Sequence, residues 1–102
     1  MASSAEYLEY VLDLLCEVPQ VTARKMMGEY LLYASGKLFG GIYDDRFLVK
    51  ETEASRAVFD TSQLPYDGAS PMRLVDVDER EVLRDVVAGM LAELPEPRRS
   101  RN

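Results

Sequence analysis

Two short motifs in this 102-residue chain could bind a ligand: Asp44-Asp45 a divalent metal, and Gly36-Lys37 a phosphate group. Adjacent acids in a turn point in different directions, however, and no third carboxylate has ligand spacing with this pair. The phosphate-loop motif requires a further upstream glycine and a Ser or Thr after the lysine, and here Leu38 follows instead. We interpret both pairs as turn residues and expect no metal and no cofactor.

Nucleophilic catalysis lacks its usual components, because the chain contains no histidine. This absence removes Ser-His and Cys-His pairs, histidine-ligated zinc and the commonest general base. Ser55, Ser62 and Ser70 lie outside any G-x-S-x-G motif. The lone Cys16 has no basic neighbour that would activate its thiol, so we interpret it as a small apolar helix residue. We therefore expect a protein that is not an enzyme.

A candidate binding surface follows from the strands that two tight turns define. Ser35-Gly36 and Asp44-Asp45 predict two-residue loops between three antiparallel strands, because Gly and Asp tolerate turn geometry. With two residues in each loop, Leu31 faces Gly40 across the first turn. One sheet face is then apolar, and we expect it to pack on the helices. Its members are Leu31, Tyr33, Leu38, Ile42, Phe47 and Val49.

The opposite face interleaves aromatic, leucine and cationic side chains, whereas an ordinary solvent-facing sheet is mostly polar. This mixed composition makes it the candidate interaction face. The binding residues that we predict on it are Tyr30, Lys37, Phe39, Tyr43, Arg46 and Lys50.

Three interpretations of this mixed face remain open. An apolar patch rimmed by cations is typical of a protein interface, with a homodimer as the simplest case. Aromatics and cations on an open sheet could instead stack nucleobases, although the net charge of −6 argues against avid nucleic-acid binding. In the third interpretation, the region of Tyr66 folds over the face and the aromatics belong to the core.

A basic pair, Arg24-Lys25, lies outside these strands. It could extend a basic strip, but we prefer a contact with the acidic edge of the first helix at Glu17. That helix is predicted to begin at the capping-box pair Ser3 and Glu6, and the last helix at Asp78 with Glu81. Thr52 caps a short helix between them. The predicted helices span residues 4–17, 53–59 and 79–94.

The resulting order is α-β-β-β-α-β(β)-α, where the bracketed strand is a short one near Tyr66. This order predicts an α+β domain over residues 1–94, with an antiparallel sheet and helices packed on one face. Residues 95–102 are rich in Pro and Arg, and we expect a disordered tail. No apolar run approaches the roughly 18 residues of a membrane span, and one cysteine fits a reducing compartment. We expect a cytoplasmic protein that does not bind membranes.

The sequence R-K-M-M-G-E-Y, at residues 24–30, and G-K-L-F-G-G-I-Y-D-D-R-F-L-V-K, at residues 36–50, closely resemble the N-terminal domain of the TfoX/Sxy family. P-Y-D-G-A at 65–69, M-R-L-V-D at 72–76 and E-L-P-E-P at 93–97 also fit, so the resemblance covers most of the chain. That family is linked to regulation of natural competence in bacteria. The resemblance implies helices on an antiparallel sheet and an accessory role in transcriptional regulation through protein contacts. It supplies no catalytic residues.

Overall fold

A computed structural model describes residues 4–95, which form an α+β fold as predicted. The helices are α1 (Ala5–Leu14), α2 (Glu53–Val58) and α3 (Arg80–Glu93). The strands are β1 (Val21–Met26), β2 (Glu29–Ala34), β3 (Lys37–Ile42), β4 (Phe47–Val49), β5 (Ser62–Gln63) and β6 (Met72–Leu74). They form one antiparallel sheet in the order β1-β2-β3-β4-β6-β5. Residues 96–102, which hold most of the predicted tail, lie outside the described residues.

Three two-residue turns connect the first four strands. Met27-Gly28, Ser35-Gly36 and Asp44-Asp45 all have positive φ at both positions, between 52° and 84°. This is the type I′ geometry, whose twist matches that of a hairpin. The last two turns are those predicted from the sequence, whereas the first adds β1 ahead of the three strands that they define.

A β-bulge at Phe39 determines which side chains face the helices. Leu32 lies opposite Gly40, and the next pair is Tyr33 opposite Leu38. Phe39 is therefore an extra residue in β3 with no partner in β2. Because side chains alternate along a strand, one extra residue reverses the alternation between the two sides of the bulge.

The predicted pairs are correct between β3 and β4 and between the turn and the bulge, where Tyr33 lies opposite Leu38, but they fail in β2 and β3 beyond the bulge. Ile42 lies opposite Phe47 and Gly40 opposite Val49, as predicted. The predicted pairing of Leu31 with Gly40 is wrong, because Leu31 lies opposite Gly41. As a consequence, the side chains of β2, and those of Lys37, Leu38 and Phe39 in β3, face the reverse of the predicted directions.

We call the side of the sheet that packs on the helices the helix face, and the other side the outer face. α1 and α3 pack on the helix face, and the side chains between them are almost completely buried. From the register, the helix face carries Tyr30, Leu32, Ala34, Phe39, Ile42, Phe47 and Val49. The outer face carries Leu31, Tyr33, Leu38, Gly41, Tyr43, Arg46, Leu48 and Lys50.

The helix starts are set by caps that differ in part from those predicted. Ser4 caps α1, whereas the predicted cap, Ser3, lies outside the described residues. Glu79 is the N-cap of α3 and makes no side-chain cap hydrogen bond, so the prediction of Asp78 is wrong. Thr52 caps α2 in a capping box, as predicted.

A carboxylate from the end of α3 holds the start of α2. Glu93 accepts hydrogen bonds from the backbone amides of Glu53 at 2.8 Å and Ala54 at 3.1 Å. The first amides of a helix have no partner within it, and a negative charge there is favourable. Glu93 therefore stabilises α2 and fixes its position against α3.

Among residues 4–95 no helix is both long and apolar enough to cross a membrane.

Candidate functional site

The six predicted binding residues are divided between the two faces of the sheet. Tyr30 is 9% exposed and Phe39 is fully buried, and both belong to the core beneath α1 and α3. Their predicted place on an open interaction face is therefore wrong. The physical cause is the bulge at Phe39, which turns Tyr30 toward the helices. A base-stacking platform built on these two rings cannot form in this fold.

Lys37 also lies on the helix face, where it has a structural contact. Its Nζ donates a hydrogen bond to the carbonyl oxygen of Leu91 at 2.8 Å. Leu91 belongs to the last turn of α3, whose carbonyls lack partners within the helix and favour a cation. Lys37 therefore fastens α3 to the sheet.

Arg46 lies on the outer face, as predicted, and holds the segment that follows β5. Its guanidinium donates to Gln63 Oε1 at 2.8 Å, to the Leu64 carbonyl at 3.1 Å and to the Pro65 carbonyl at 3.2 Å. Its Nε also donates to the carbonyl of Tyr43 at 3.1 Å. The planar donor fork of arginine suits several acceptors at once. Arg46 therefore positions the Tyr66 segment over the sheet.

Tyr43 and Lys50 lie on the outer face as predicted, and the segment 64–71 covers part of that face beside them. The rings of Tyr43 and Tyr66 are tilted at 56° with centroids 6.2 Å apart. Burial raises the pKa of the Tyr43 hydroxyl above its ordinary value, with smaller contributions from the nearby Tyr66, Glu29 and Tyr33. The region of Tyr66 therefore folds over part of the outer face, as in the third interpretation, but Tyr66 itself is 62% exposed and does not belong to the core.

A cavity of about 560 Å³ lies between this segment and the outer face, and it opens to solvent. Its walls combine the apolar side chains of Leu38 and Met72 with the two tyrosines. Lys50 contributes the cation, and its side chain forms no hydrogen bond or ion pair with another described residue. Leu38 and Met72 were missed as site residues because the bulge and the course of segment 64–71 are not evident in local patterns.

The acid at the cavity wall is already paired. Glu51 Oε2 lies 3.1 Å from Arg73 Nε, without hydrogen-bond alignment, and Oε1 lies 4.0 Å from Arg56. Ser62 donates a further hydrogen bond to Glu51 at 3.3 Å. Much of the negative charge of Glu51 is therefore compensated, which leaves Lys50 as the uncompensated charge that the described residues place in the cavity wall.

A second candidate surface is β1, which forms one edge of the sheet. Met26 and Glu29 flank a two-residue turn and form a hydrogen-bonded pair, from which bonded and non-bonded pairs alternate along β1. Val21, Ala23 and Lys25 occupy the non-bonded positions, so their N–H and C=O groups point away from β2. Within residues 4–95 these groups have no partner, and only Val21 of this strand is even partly buried. We call this surface the β1 edge.

The predicted contact between the basic pair on β1 and Glu17 is wrong. Glu17 instead forms an ion pair with Arg84 of α3 at 3.0 Å, and Asp13 forms one with Arg80. Within the described chain the side chains of Arg24 and Lys25 form no hydrogen bond or ion pair, and both are exposed. The arginines of α3, and not Arg24 and Lys25 of β1, neutralise the acidic edge of α1.

The hairpin that begins with β1 also ends in exposed apolar side chains. Met27 at the turn is 98% exposed, and Met26 is 47% exposed. Flexible methionine side chains adapt to many contact surfaces and are common at binding sites. These methionines therefore extend the candidate contact surface at the end of the β1 edge.

Residues 4–95 contain no group of three or more His, Cys, Asp or Glu side chains that could hold a metal ion.

Comparisons with known proteins agree with the fold and the motifs. No solved structure matches the chain significantly. A protein of Spirochaeta aurantia, described as an uncharacterized 12.7 kDa protein in the trpE 5' region, is 34% identical over 96% of this chain and 89% of its own length. The family model of the TfoX N-terminal domain matches residues 13–82, which include β1, the bulged strand and all residues that line the cavity. The chain therefore belongs to the TfoX N-terminal domain family.

Proposed function

We propose that this protein is a non-enzymatic regulatory module that binds another protein through the β1 edge. The observation that supports this proposal is a free hydrogen-bonding edge that also carries two cations, Arg24 and Lys25, without partners in the described chain. Membership of a family linked to regulation of natural competence supports an accessory role in transcriptional regulation.

An exposed edge strand can accept an additional strand, because its outward N–H and C=O groups continue the ladder of the sheet. Natural proteins often protect such edges with lysine or with very short strands. Lys25 gives some protection of this kind. However, β1 has the same six-residue length as β2 and β3, so it offers a full-length template for pairing.

The chemistry of β1 favours an extended acidic segment as the partner. An added strand would place its side chains beside Arg24 on the outer face and Lys25 on the helix face. Opposite charges across neighbouring strands contribute about 0.2–1 kcal/mol each. The exposed Met27 at the turn would add apolar contact at the end of the β1 edge.

A second copy of the chain fits this edge less well. In a symmetric antiparallel pair centred on Ala23, the two Arg24 side chains lie diagonally opposite each other on the same face. Like charges on neighbouring strands of the same face oppose pairing. The charges on β1 therefore favour a different protein over a second copy of the chain as the partner.

The test uses fluorescence polarisation with two labelled extended peptides, one alternating Val with Glu and the other alternating Val with Lys. We expect saturable binding of the acidic peptide only. Ala23→Pro should abolish it, because this change removes an outward N–H while leaving the hydrogen bonds to β2 in place. Arg24→Gln with Lys25→Gln should weaken it and reduce its salt dependence.

The charge-matched control is Arg80→Gln with Arg84→Gln on α3, which should bind the acidic peptide normally. Equal binding of both peptides, or normal binding by Ala23→Pro, would overturn the proposal. Light scattering would detect self-association as the competing explanation. Salt-dependent binding of single-stranded DNA or RNA by the native protein, if it is lost in the Arg24→Gln, Lys25→Gln variant, would favour the nucleic-acid alternative.

A further inference from the structure

The cavity between the outer face and segment 64–71 has the properties of a small-molecule site. Its volume of about 560 Å³ lies within the usual range of ligand pockets, roughly 300–1,000 Å³. It does not include the β1 edge, because β2 lies between β1 and β3, the nearest strand of the cavity wall. A ligand there would be a property additional to the protein contacts proposed above.

We propose that this cavity binds a small aromatic carboxylate. Leu38, Met72 and the rings of Tyr43 and Tyr66 provide an apolar and aromatic surface for a planar ring. Lys50 provides the cation for the carboxylate, and its ammonium group forms no hydrogen bond or ion pair with another described residue.

The charges around the cavity select an anion over a cation. Glu51 is the acid that could attract a cation, but Arg73 and Arg56 lie beside its two oxygens. A cationic ligand would therefore meet Lys50 without a free carboxylate to balance it. An anionic ligand would meet the ammonium group of Lys50, a residue that is half-buried at the cavity wall, and could form a charge-assisted hydrogen bond with it.

One wall of the cavity is formed before any ligand binds. Arg46 holds the segment at Gln63, Leu64 and Pro65, and a turn closed by the Ala69 amide and the Tyr66 carbonyl at 3.1 Å follows. A preformed wall lowers the ordering cost of binding.

The test is isothermal titration of the whole chain with benzoate, benzyl alcohol and benzylamine, which share a ring and differ in charge. We expect saturable binding of benzoate, weaker binding of benzyl alcohol and none of benzylamine. Lys50→Met should weaken benzoate about tenfold or more, as the loss of a charge-assisted contact predicts. Tyr66→Ala should weaken benzoate and benzyl alcohol together.

The control variant is Arg84→Met, which removes the same charge at an exposed position on α3 and should bind benzoate normally. In addition, the methyl resonance of Met72 should shift on titration, which locates the ligand. No saturable benzoate binding at tens of millimolar, or equal binding by a folded Lys50→Met variant, would overturn the inference. Peptide binding at the β1 edge is measured separately, so either proposal can fail alone.

Discussion

The guanidinium of Arg46 donates a hydrogen bond to the carbonyl oxygen of Pro65 at 3.2 Å, across 19 positions of sequence. This contact and those to Gln63 and Leu64 connect the turn before β4 with the segment that covers the outer face. A residue predicted to bind a partner therefore organises the wall of a cavity. The position of that wall depends on a few polar contacts that can be changed one at a time.

Arg46→Lys should loosen segment 64–71 while the rest of the sheet stays folded. Lysine keeps the charge but lacks the planar fork that reaches several acceptors. We expect the free energy of unfolding to fall by about 1–3 kcal/mol. The amide of Ala69, bonded to the Tyr66 carbonyl, should exchange faster with solvent. Arg56→Lys, at an exposed arginine with a 4.0 Å ion pair, is the control and should leave this exchange rate unchanged.

Phe39→Glu should unfold the domain. The side chain is completely buried, and the variant would place an unpaired charge among apolar groups. We expect a loss of about 4 kcal/mol or more, close to the whole stability of a small domain. Thermal unfolding followed by circular dichroism measures it. Met27→Glu, at a side chain 98% exposed, should melt near the native temperature. A folded Phe39→Glu variant would show that the bulge places Phe39 elsewhere.

Glu93→Gln should weaken α2. Glutamine keeps one acceptor oxygen but loses the charge that faces the helix start, so only one of the two amides at Glu53 and Ala54 stays bonded. We expect a loss of about 1 kcal/mol, typical of a helix cap. Urea unfolding measures it, with Glu9→Gln on the exposed side of α1 as the charge-matched control. Equal midpoints for the two variants would contradict this role.

Tyr43→Phe should make the loss of stability at alkaline pH less steep. Burial raises the pKa of the Tyr43 hydroxyl above 10.0, so the unfolded chain ionises first as the pH rises. The stabilisation is complete below about pH 10 and is lost as the pH rises through the folded pKa. Burial also raises the pKa of Tyr7, so some dependence should persist. Urea midpoints across alkaline pH test this, and parallel curves for variant and native protein would contradict it.

The sequence predicted features that depend on local geometry. Ser35-Gly36 and Asp44-Asp45 form the expected turns, and the Thr52 cap begins α2 as expected. The same logic could have found β1, because Met27-Gly28 has the spacing of Ser35-Gly36 and precedes an apolar-rich strand. That turn was missed because methionine is an unusual residue at positive φ.

The candidate site was harder to predict, because it depends on where the bulge lies in β3, and local sequence patterns do not determine that position. Only Gly40 and Gly41 hint at a bulge, since glycine in a strand often accompanies one. Gly41 is needed for a different reason: a Cβ there would lie 2.7 Å from the Tyr30 carbonyl and 2.8 Å from the Tyr43 ring. Neither glycine reveals from sequence where the extra residue lies, and every face assignment in β2 depends on that position.

The bulge also bears on the uniqueness of the fold. Tyr30 and Leu32 on one side of β2 differ little in apolar character from Leu31 and Tyr33 on the other. The strand itself is nearly indifferent to which side is buried, so the hydrophobic pattern alone would leave two competing registers. Deleting Phe39 would turn the other side of β2 inward, and we expect a rearranged sheet rather than an unfolded chain. The single extra residue Phe39 thus determines which of two sheets forms, although both would have the same strand order.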